Sequence, residues 1–175
     1  EQVGIDLIIT DHHMLGDGLP KAYAIINPQQ DDDNFPFKEI CGAEVAWYLV
    51  ASIKELLGLK NYNMGKFTDL LAIAIMADMM ELRDMNRVLV REGLKYINKR
   101  TRACFDVIAR HYDKENFNFD DISFSIAPLI NSAGRMDDAT LSYEFLRAKS
   151  TQEAQELFKT IQDLNKARKD EERIL

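Results

Sequence analysis

Two short apolar runs, each followed directly by polar residues, constrain the fold more than any other feature of the sequence. Residues 3–10 read VGIDLIIT and residues 22–27 read AYAIIN, and β-branched side chains recur in both. Such runs are typical of short strands that are buried on both faces. The segment between them, DHHMLGDGLP, contains two glycines and a proline, so it is predicted to be a loop.

Helical patterns follow the second run and favour an α/β fold in which a parallel sheet is flanked by helices. Residues 43–57 carry an apolar stripe at three- and four-residue spacing, and Gly58 is a suitable terminator. Residues 66–80 are apolar nearly all round, which is typical of a helix at the centre of a core. Further helices are predicted at residues 86–98, 101–112 and 138–148.

The C-terminal half is rich in helical patterns but contains one ambiguous segment. Residues 122–130, ISFSIAPLI, suit a helix or a strand, and Pro128 is expected to break either. From Thr151 a narrow apolar stripe runs into an almost wholly charged end, which predicts a long helix that leaves the domain. We therefore divide the chain into a domain at residues 1–150 and a linker helix at residues 151–175.

Composition excludes several classes of protein. The formal net charge of -7 argues against a protein that coats nucleic acid by charge alone. The two cysteines, Cys41 and Cys104, lie far apart, which argues against a disulfide framework and favours a reducing, cytoplasmic setting. No apolar run approaches the roughly 20 residues that cross a bilayer, so no membrane partner is expected. The chain enters an apolar run soon after Glu1, so we expect it to be part of a longer protein.

The sharpest local motif is Asp11-His12-His13, directly after the first predicted strand. In open α/β sheets, ligands bind outside the carboxyl ends of the strands. Two imidazoles and a carboxylate at such a place can supply a metal ligand, a partner that orients it and a group that faces substrate. The alternative is a polar loop exposed to solvent.

Asp78 is the second candidate, because it lies near the end of the apolar helix predicted at residues 66–80. An unpaired carboxylate is costly to bury there, and coordination of a metal would offset that cost. The alternative is that Asp78 caps the following turn or pairs with Arg83 or Arg87. Three methionines of this region are interpreted as core-filling residues: Met76, Met79 and Met80.

The third candidate is residues 131–135, NSAGR, which are predicted to form a loop. Small residues let the backbone approach a phosphate closely, and arginine supplies paired hydrogen-bond donors. The alternative is an ordinary turn between helices. His111, at the end of a predicted helix, is interpreted as a structural or surface histidine.

Five segments, in this order, carry a resemblance to a known superfamily: GIDLIITDHH, AIINPQ, LLAIAIMADMMEL, NRVLVREGL and APLINSAGRMDDA. Together they resemble the DHH phosphoesterases. The last two segments are most similar to the branch of exonucleases that act on single-stranded DNA. The resemblance extends over nearly the whole chain.

The resemblance implies a role for each candidate residue. His12 and Asp78 correspond to metal ligands. His13 corresponds to the catalytic histidine that faces the substrate phosphate and the metal centre, and Asp11 to the carboxylate that supports them. The residues implied in binding phosphate or nucleic acid are Asn131, Ser132 and Arg135. Ser132 stands where alanine is usual.

The resemblance also implies an activity: metal-dependent hydrolysis of single-stranded DNA from its 5′ end, in DNA repair and recombination. The implied cofactor is manganese in a two-metal site, with magnesium as a substitute, and the expected state is a monomer. One alternative is a superfamily enzyme that acts on short oligonucleotides or cyclic dinucleotides. A second is a catalytically silent binding module.

Part of the superfamily's pattern is not found in this sequence. Its first two aspartate-rich motifs and its glycine- and histidine-rich second domain have no counterpart here. We therefore expect the isolated chain to lack some metal ligands and to be inactive. Residues 151–175 are then expected to lead toward a second domain.

Overall fold

A two-stranded parallel sheet forms the N-terminal part of the fold. The computed structural model describes residues 4–16, 18–136 and 138–173. Strand β1 spans Ile8–Thr10 and strand β2 spans Ala24–Ile26, with Ile9 opposite Ile25. The predicted parallel pairing is confirmed, although both strands are shorter than the apolar runs that predicted them.

The prediction that both strands are buried on both faces is wrong for this chain. Helix α1, at Gly42–Leu56, contacts β1, yet Ile5, Leu7 and Ile8 are exposed. Continuous apolar runs are typical of parallel strands covered by layers on both sides. The exposure of these side chains shows that the described residues do not supply a layer on both faces of the sheet.

All the predicted helices are present, and together they form the core. Its centre is α2, where Leu71, Ala72 and Ile75 are buried. The helices that follow α1 are α2 at Thr68–Ala77, α3 at Asp84–Asn98, α4 at Ala103–His111, α5 at Phe119–Asp121, α6 at Ala127–Met136, α7 at Thr140–Arg147 and α8 at Thr151–Glu172. No helix within the described ranges is long and apolar enough to cross a membrane.

Helices α2 and α3 approach each other closely at Gly93. A Cβ atom on Gly93 would lie 2.1 Å from the carbonyl oxygen of Thr68 and 2.6 Å from the Cβ of Ala72. Real Cβ atoms do not come this close to other atoms, so only glycine fits there. This contact fixes α2, whose C-terminal end carries Asp78.

The chain is helical from Phe119 to Met136, which corrects two predictions. Pro128 does not break the structure, and residues 131–135 are helix rather than loop. Pro128 closely follows a turn whose altered hydrogen-bond pattern tolerates a residue without an amide proton. The turn before it, Ile122–Ile126, is π-helical, and the amide of Ala127 donates to the carbonyl of Ile122.

Helix α8 is confirmed as a long helix, but most of it packs against the domain. Ala154, Phe158 and Ile161 are buried, and α8 contacts α4, α6 and α7. Asn165 is its last buried residue among those described. The prediction that the helix leaves the domain at its start is therefore wrong, because its apolar stripe is part of the same core.

Candidate metal centre

Asp11 begins the loop that leaves β1, and its side chain folds that loop back on itself. The Asp11 amide donates to the carbonyl of Ile26 at 3.0 Å, which extends the pairing with the second strand. One carboxylate oxygen, Oδ1, accepts hydrogen bonds from the amides of His12 at 2.8 Å and His13 at 3.3 Å. The two imidazoles are therefore held close together, with ring centres 4.3 Å apart.

The same oxygen of Asp11 also orients the His13 ring. Nδ1 of His13 lies 2.7 Å from Oδ1 of Asp11, while 75% of the His13 side chain is exposed. The hydrogen bond from His13 lowers the pKa of Asp11, and the backbone amide of His12 lowers it further. Because Nδ1 is engaged, Nε2 is the nitrogen that His13 presents to solvent.

His12 points in the other direction, toward the end of α2. Its Nε2 lies 3.3 Å from Oδ2 of Asp78, and its side chain is only 14% exposed. Asp78 is the residue that ends α2, and its amide donates to the carbonyl of Ala74 at 2.9 Å. The first strand and the central helix thus bring together two residues that the sequence separates widely.

The alternative partners of Asp78 are engaged elsewhere or do not contact it among the described ion pairs. Arg83 pairs with Glu81 at 2.6 Å and with Asp84 at 3.2 Å. No ion pair between Arg87 and Asp78 is found in the described ranges. Among the described ion pairs Asp78 is therefore paired with His12 rather than with an arginine. Its side chain is 43% exposed, so the expectation that a metal is needed to offset burial is wrong.

The N-terminus of α1 lies beside the ring of His12. A Cβ atom on Gly42 would lie 3.4 Å from Cδ2 of His12, so this turn packs against the imidazole. Buried Glu44 holds the turn, because its Oε2 accepts from the Cys41 amide at 2.9 Å. Burial raises the pKa of Glu44. The position of His12 therefore depends on the cap of α1.

Asn27 supports the loop from the second strand, and sequence reasoning did not give it a role. Its Nδ2 donates to the His13 carbonyl at 2.9 Å, and its Oδ1 accepts from the Gln29 amide at 2.9 Å. Asn27 is buried. In the sequence Asn27 directly follows the second predicted strand, as Asp11 follows the first. The register, with Thr10 opposite Ile26, brings the two residues to the same edge of the sheet.

The donor set fits a divalent cation of the manganese or magnesium type. Asp11, His12 and His13 can each offer one ligand atom, all within 4.8 Å of one another. The 3.3 Å between His12 and Asp78 is near the separation of about 3 Å that neighbouring ligands have around an octahedral ion. Carboxylate oxygens suit both Mn²⁺ and Mg²⁺, and imidazole, as a ligand of transition metals, favours Mn²⁺ of the two.

Asn131 and Arg135 lie one turn apart on α6 and are both exposed. They line a pocket of about 450 Å³ together with Ala77 and Met79, the residues on either side of Asp78. The end of α2 is therefore shared between the metal-ligand cluster and this pocket. The pocket thus holds an arginine and an amide beside the end of α2, while the four candidate metal-centre residues are not among those that line it.

Ser132 faces the opposite side of α6. Its hydroxyl is fully buried and donates to the Leu129 carbonyl at 2.6 Å, close to the carbonyl of Ile161 on α8. A hydroxyl in this position does not reach a phosphate at the surface. The structure therefore does not support the predicted phosphate contact for Ser132, because the segment is helix and successive residues point in different directions.

His111, Cys41 and Cys104 contact other parts of the fold. Both ring nitrogens of His111 lie within 3.2 Å of Nε2 of Gln162, and its ring packs against Phe158. Cys41 and Cys104 are free and buried, and burial raises the pKa of each thiol to about 12. These residues do not contribute to the candidate metal centre.

Comparison with known proteins supports the assignment of the fold and the motif. Residues 1–75 match the model of the DHH family, N-terminal domain. The chain is 34% identical over 182 residues to the single-stranded-DNA-specific exonuclease RecJ of Escherichia coli (strain K12), an alignment that covers 96% of this chain and 31% of the relative.

Solved structures give the same result. The crystal structure of RecJ in complex with Mn²⁺ from Thermus thermophilus matches 97% of this chain and 25% of its own, with a TM-score of 0.83 and 30% identity. The structure of RecJ in complex with Mg²⁺ from the same organism matches 95% of this chain and 25% of its own, with a TM-score of 0.78 and 30% identity.

Residues 1–75 are therefore similar to the N-terminal domain of the DHH family. The sequence and the fold of almost the whole chain are similar to those of part of RecJ. The chain spans about 31% of the length of the Escherichia coli relative.

Proposed function

We propose that this chain forms part of a metal-dependent exonuclease that hydrolyses single-stranded DNA from its 5′ end, in DNA repair and recombination. The observation that carries the proposal is the cluster of Asp11, His12 and His13 with Asp78 at 3.3 Å from His12. The similarity to RecJ exonucleases supports single-stranded DNA as the substrate. The protein acts as a monomer in the cytoplasm.

His12 and Asp78 would hold manganese, with magnesium as a substitute, and Asp11 would support the site from its other side. When bound, the cation supplies Lewis-acid activation of water and neutralises charge on the phosphate. His13 presents Nε2 toward the substrate phosphate, while its Nδ1 stays anchored to Asp11. This anchoring fixes the direction in which the imidazole donates.

Asn131 and Arg135 would bind phosphate oxygens of the strand. Arg135 carries a planar guanidinium that suits paired hydrogen bonds to phosphate, and both residues are exposed on the same face of α6. Their pocket adjoins the end of α2 that carries Asp78. A strand held there would be directed toward the metal centre.

Residues 1–150 would form part of the DHH catalytic domain, and the charged end of α8 would be the linker toward a second domain. The packing of α8 moves the start of this linker past Asn165, the last buried residue described in the helix. The segment before that point would behave as part of the catalytic domain.

The direct test is a nuclease assay of the full-length protein that contains this chain. The substrates are long single strands, duplexes, dinucleotides and cyclic dinucleotides. Release of mononucleotides from the 5′ end of long single strands, dependent on Mn²⁺, is expected. Activity confined to dinucleotides or cyclic dinucleotides would replace the proposal with the short-substrate alternative. No hydrolysis of any of them would favour a silent binding module.

A further inference from the structure

Two large apolar side chains stand exposed at the pocket that contains Asn131 and Arg135. Phe124 is 80% exposed and Met79 is 89% exposed, and both line this pocket. The interpretation of Met79 as core filling is therefore wrong. Two such side chains at one pocket, beside a cation, are unusual for a surface that only meets water.

Like Arg100 and Asp113, which follow α3 and α4, Met79 has a left-handed backbone. Its φ is 56°, a left-handed conformation that costs energy for any residue with a Cβ. The amide of Met80 donates to the Ile75 carbonyl at 3.1 Å, so Met79 occupies the position after a helix where glycine is usual. A methionine here gives up backbone stability and presents an exposed thioether at the pocket.

Phe124 reaches the pocket from the π-helical turn Ile122–Ile126. Such turns insert an extra residue into a helix and are frequent at functional sites. Phe124 is followed along the helix by Pro128, Asn131 and Arg135 at spacings of four, three and four residues, and all four line the pocket. An aromatic ring and a phosphate-binding cation therefore belong to one continuous surface.

The chemistry of this surface matches one nucleotide of a single strand. Arg135 and Asn131 suit the anionic phosphate, and the ring of Phe124 with the thioether of Met79 suits the flat apolar face of a base. The volume of about 450 Å³ falls in the range of small-ligand pockets. We propose that Met79 and Phe124 hold a nucleobase of the single strand whose phosphate Arg135 binds, an inference that rests on the function proposed above.

The test compares binding of two strands of equal length that differ only in their bases. One is a 5′-phosphorylated oligothymidylate and the other is a 5′-phosphorylated oligomer of abasic units. The affinity of the full-length protein for each strand is measured by fluorescence anisotropy. Ca²⁺ takes the place of Mn²⁺ so that the strands are not hydrolysed. The variants are Phe124→Ala, Phe124→Leu, Met79→Gly and Arg135→Ala.

Phe124→Ala is expected to weaken binding of the oligothymidylate by about tenfold, with no change for the abasic strand. Phe124→Leu should give an intermediate loss, because it keeps apolar contact without an aromatic face. Met79→Gly should weaken oligothymidylate binding while the melting temperature stays equal or rises, because glycine accepts the left-handed backbone. This separates loss of contact from loss of folding.

Matched controls come from the same chain. Phe119 is also exposed but is not among the residues that line the pocket, so Phe119→Ala should leave both affinities unchanged. Met85 is exposed on α3, and Met85→Ala should do the same. Arg135→Ala should weaken the binding of both strands equally, because both carry phosphate.

Three results would overturn the inference. Unchanged oligothymidylate binding by Phe124→Ala and Met79→Gly would exclude a base contact. An equal loss of affinity for both strands in these two variants would assign the effect to the phosphate contact or to folding. If the wild-type protein binds neither strand, the proposed function fails and the inference fails with it, whereas the first two results leave the proposed function standing.

Discussion

Nε2 of His12 lies 3.3 Å from Oδ2 of Asp78, which joins the end of the first strand to the end of the central helix. Local structure alone does not bring the two residues together, because His12 lies in the loop after β1 and Asp78 ends α2. The contact depends on the packing of α1 and α3 around α2. A change that disturbs this packing should therefore separate the two candidate ligands.

Replacement of Gly93 should destabilise the support of Asp78. Gly93→Ala would place a Cβ 2.1 Å from the Thr68 carbonyl oxygen, so α2 and α3 must move apart. The expected loss is about 1–3 kcal/mol of unfolding free energy, measured by urea denaturation. Gly18→Ala is the control, because a Cβ there meets nothing within 4 Å. Equal stability of the two variants would show that α2 and α3 do not pack this closely.

Asn27→Ala should weaken both the fold and the metal centre. It removes the hydrogen bonds to the His13 carbonyl and the Gln29 amide, at a cost of about 1–3 kcal/mol. The His13 loop loses its anchor, so the affinity for Mn²⁺ should also fall. Asn34→Ala, at an exposed asparagine with a long hydrogen bond, is the matched control. A variant that loses stability but binds Mn²⁺ normally would remove Asn27 from the support of the site.

Asp121 gives a pH-dependent prediction. Burial raises the pKa of this carboxyl, but hydrogen bonds from Lys114 and the Asn118 amide outweigh that effect, and the pKa is lowered overall. A carboxyl with a depressed folded-state pKa stabilises the protein above its unfolded pKa, and this stability is lost as the pH falls through the folded value.

Asp121→Asn should therefore cost about 1–2 kcal/mol near neutral pH, because it weakens the pairing with Lys114 and the cap of α5. The difference from wild type should shrink as the pH falls from the unfolded pKa of Asp121 through its lower folded pKa. Urea denaturation at a series of pH values measures it. A difference that is constant with pH would contradict the ionised state of Asp121 in the folded protein.

The residue patterns predicted the strands, the helices and the position of Asp11-His12-His13 because these depend on local periodicity and chain punctuation. They did not predict Asn27, since its role depends on which residues meet across the two strands. Pro128 was misinterpreted because the sequence does not reveal a π-helical turn that accommodates the missing amide proton. Ser132 was assigned to a loop, and its burial became visible only when α6 and α8 were seen to pack together.

The apolar pattern did not predict the burial of the strands correctly, for a different reason. An apolar run shows that a strand can be covered on both faces, but not whether the chain supplies both layers. For Asp78, packing supplied a contact that the pattern did not predict. The sequence placed it at a helix end, and tertiary packing alone supplied His12 as its neighbour.

The affinity for Mn²⁺ tests the central claim most directly. Isothermal titration with Mn²⁺ should show a site that is weakened at least about tenfold by His12→Ala and by Asp78→Ala, as expected for loss of a ligand. His111→Ala should bind Mn²⁺ like wild type, because His111 contacts Gln162 and Phe158 away from the cluster. Unchanged affinity in both His12→Ala and Asp78→Ala would contradict the assignment of these residues to a metal centre.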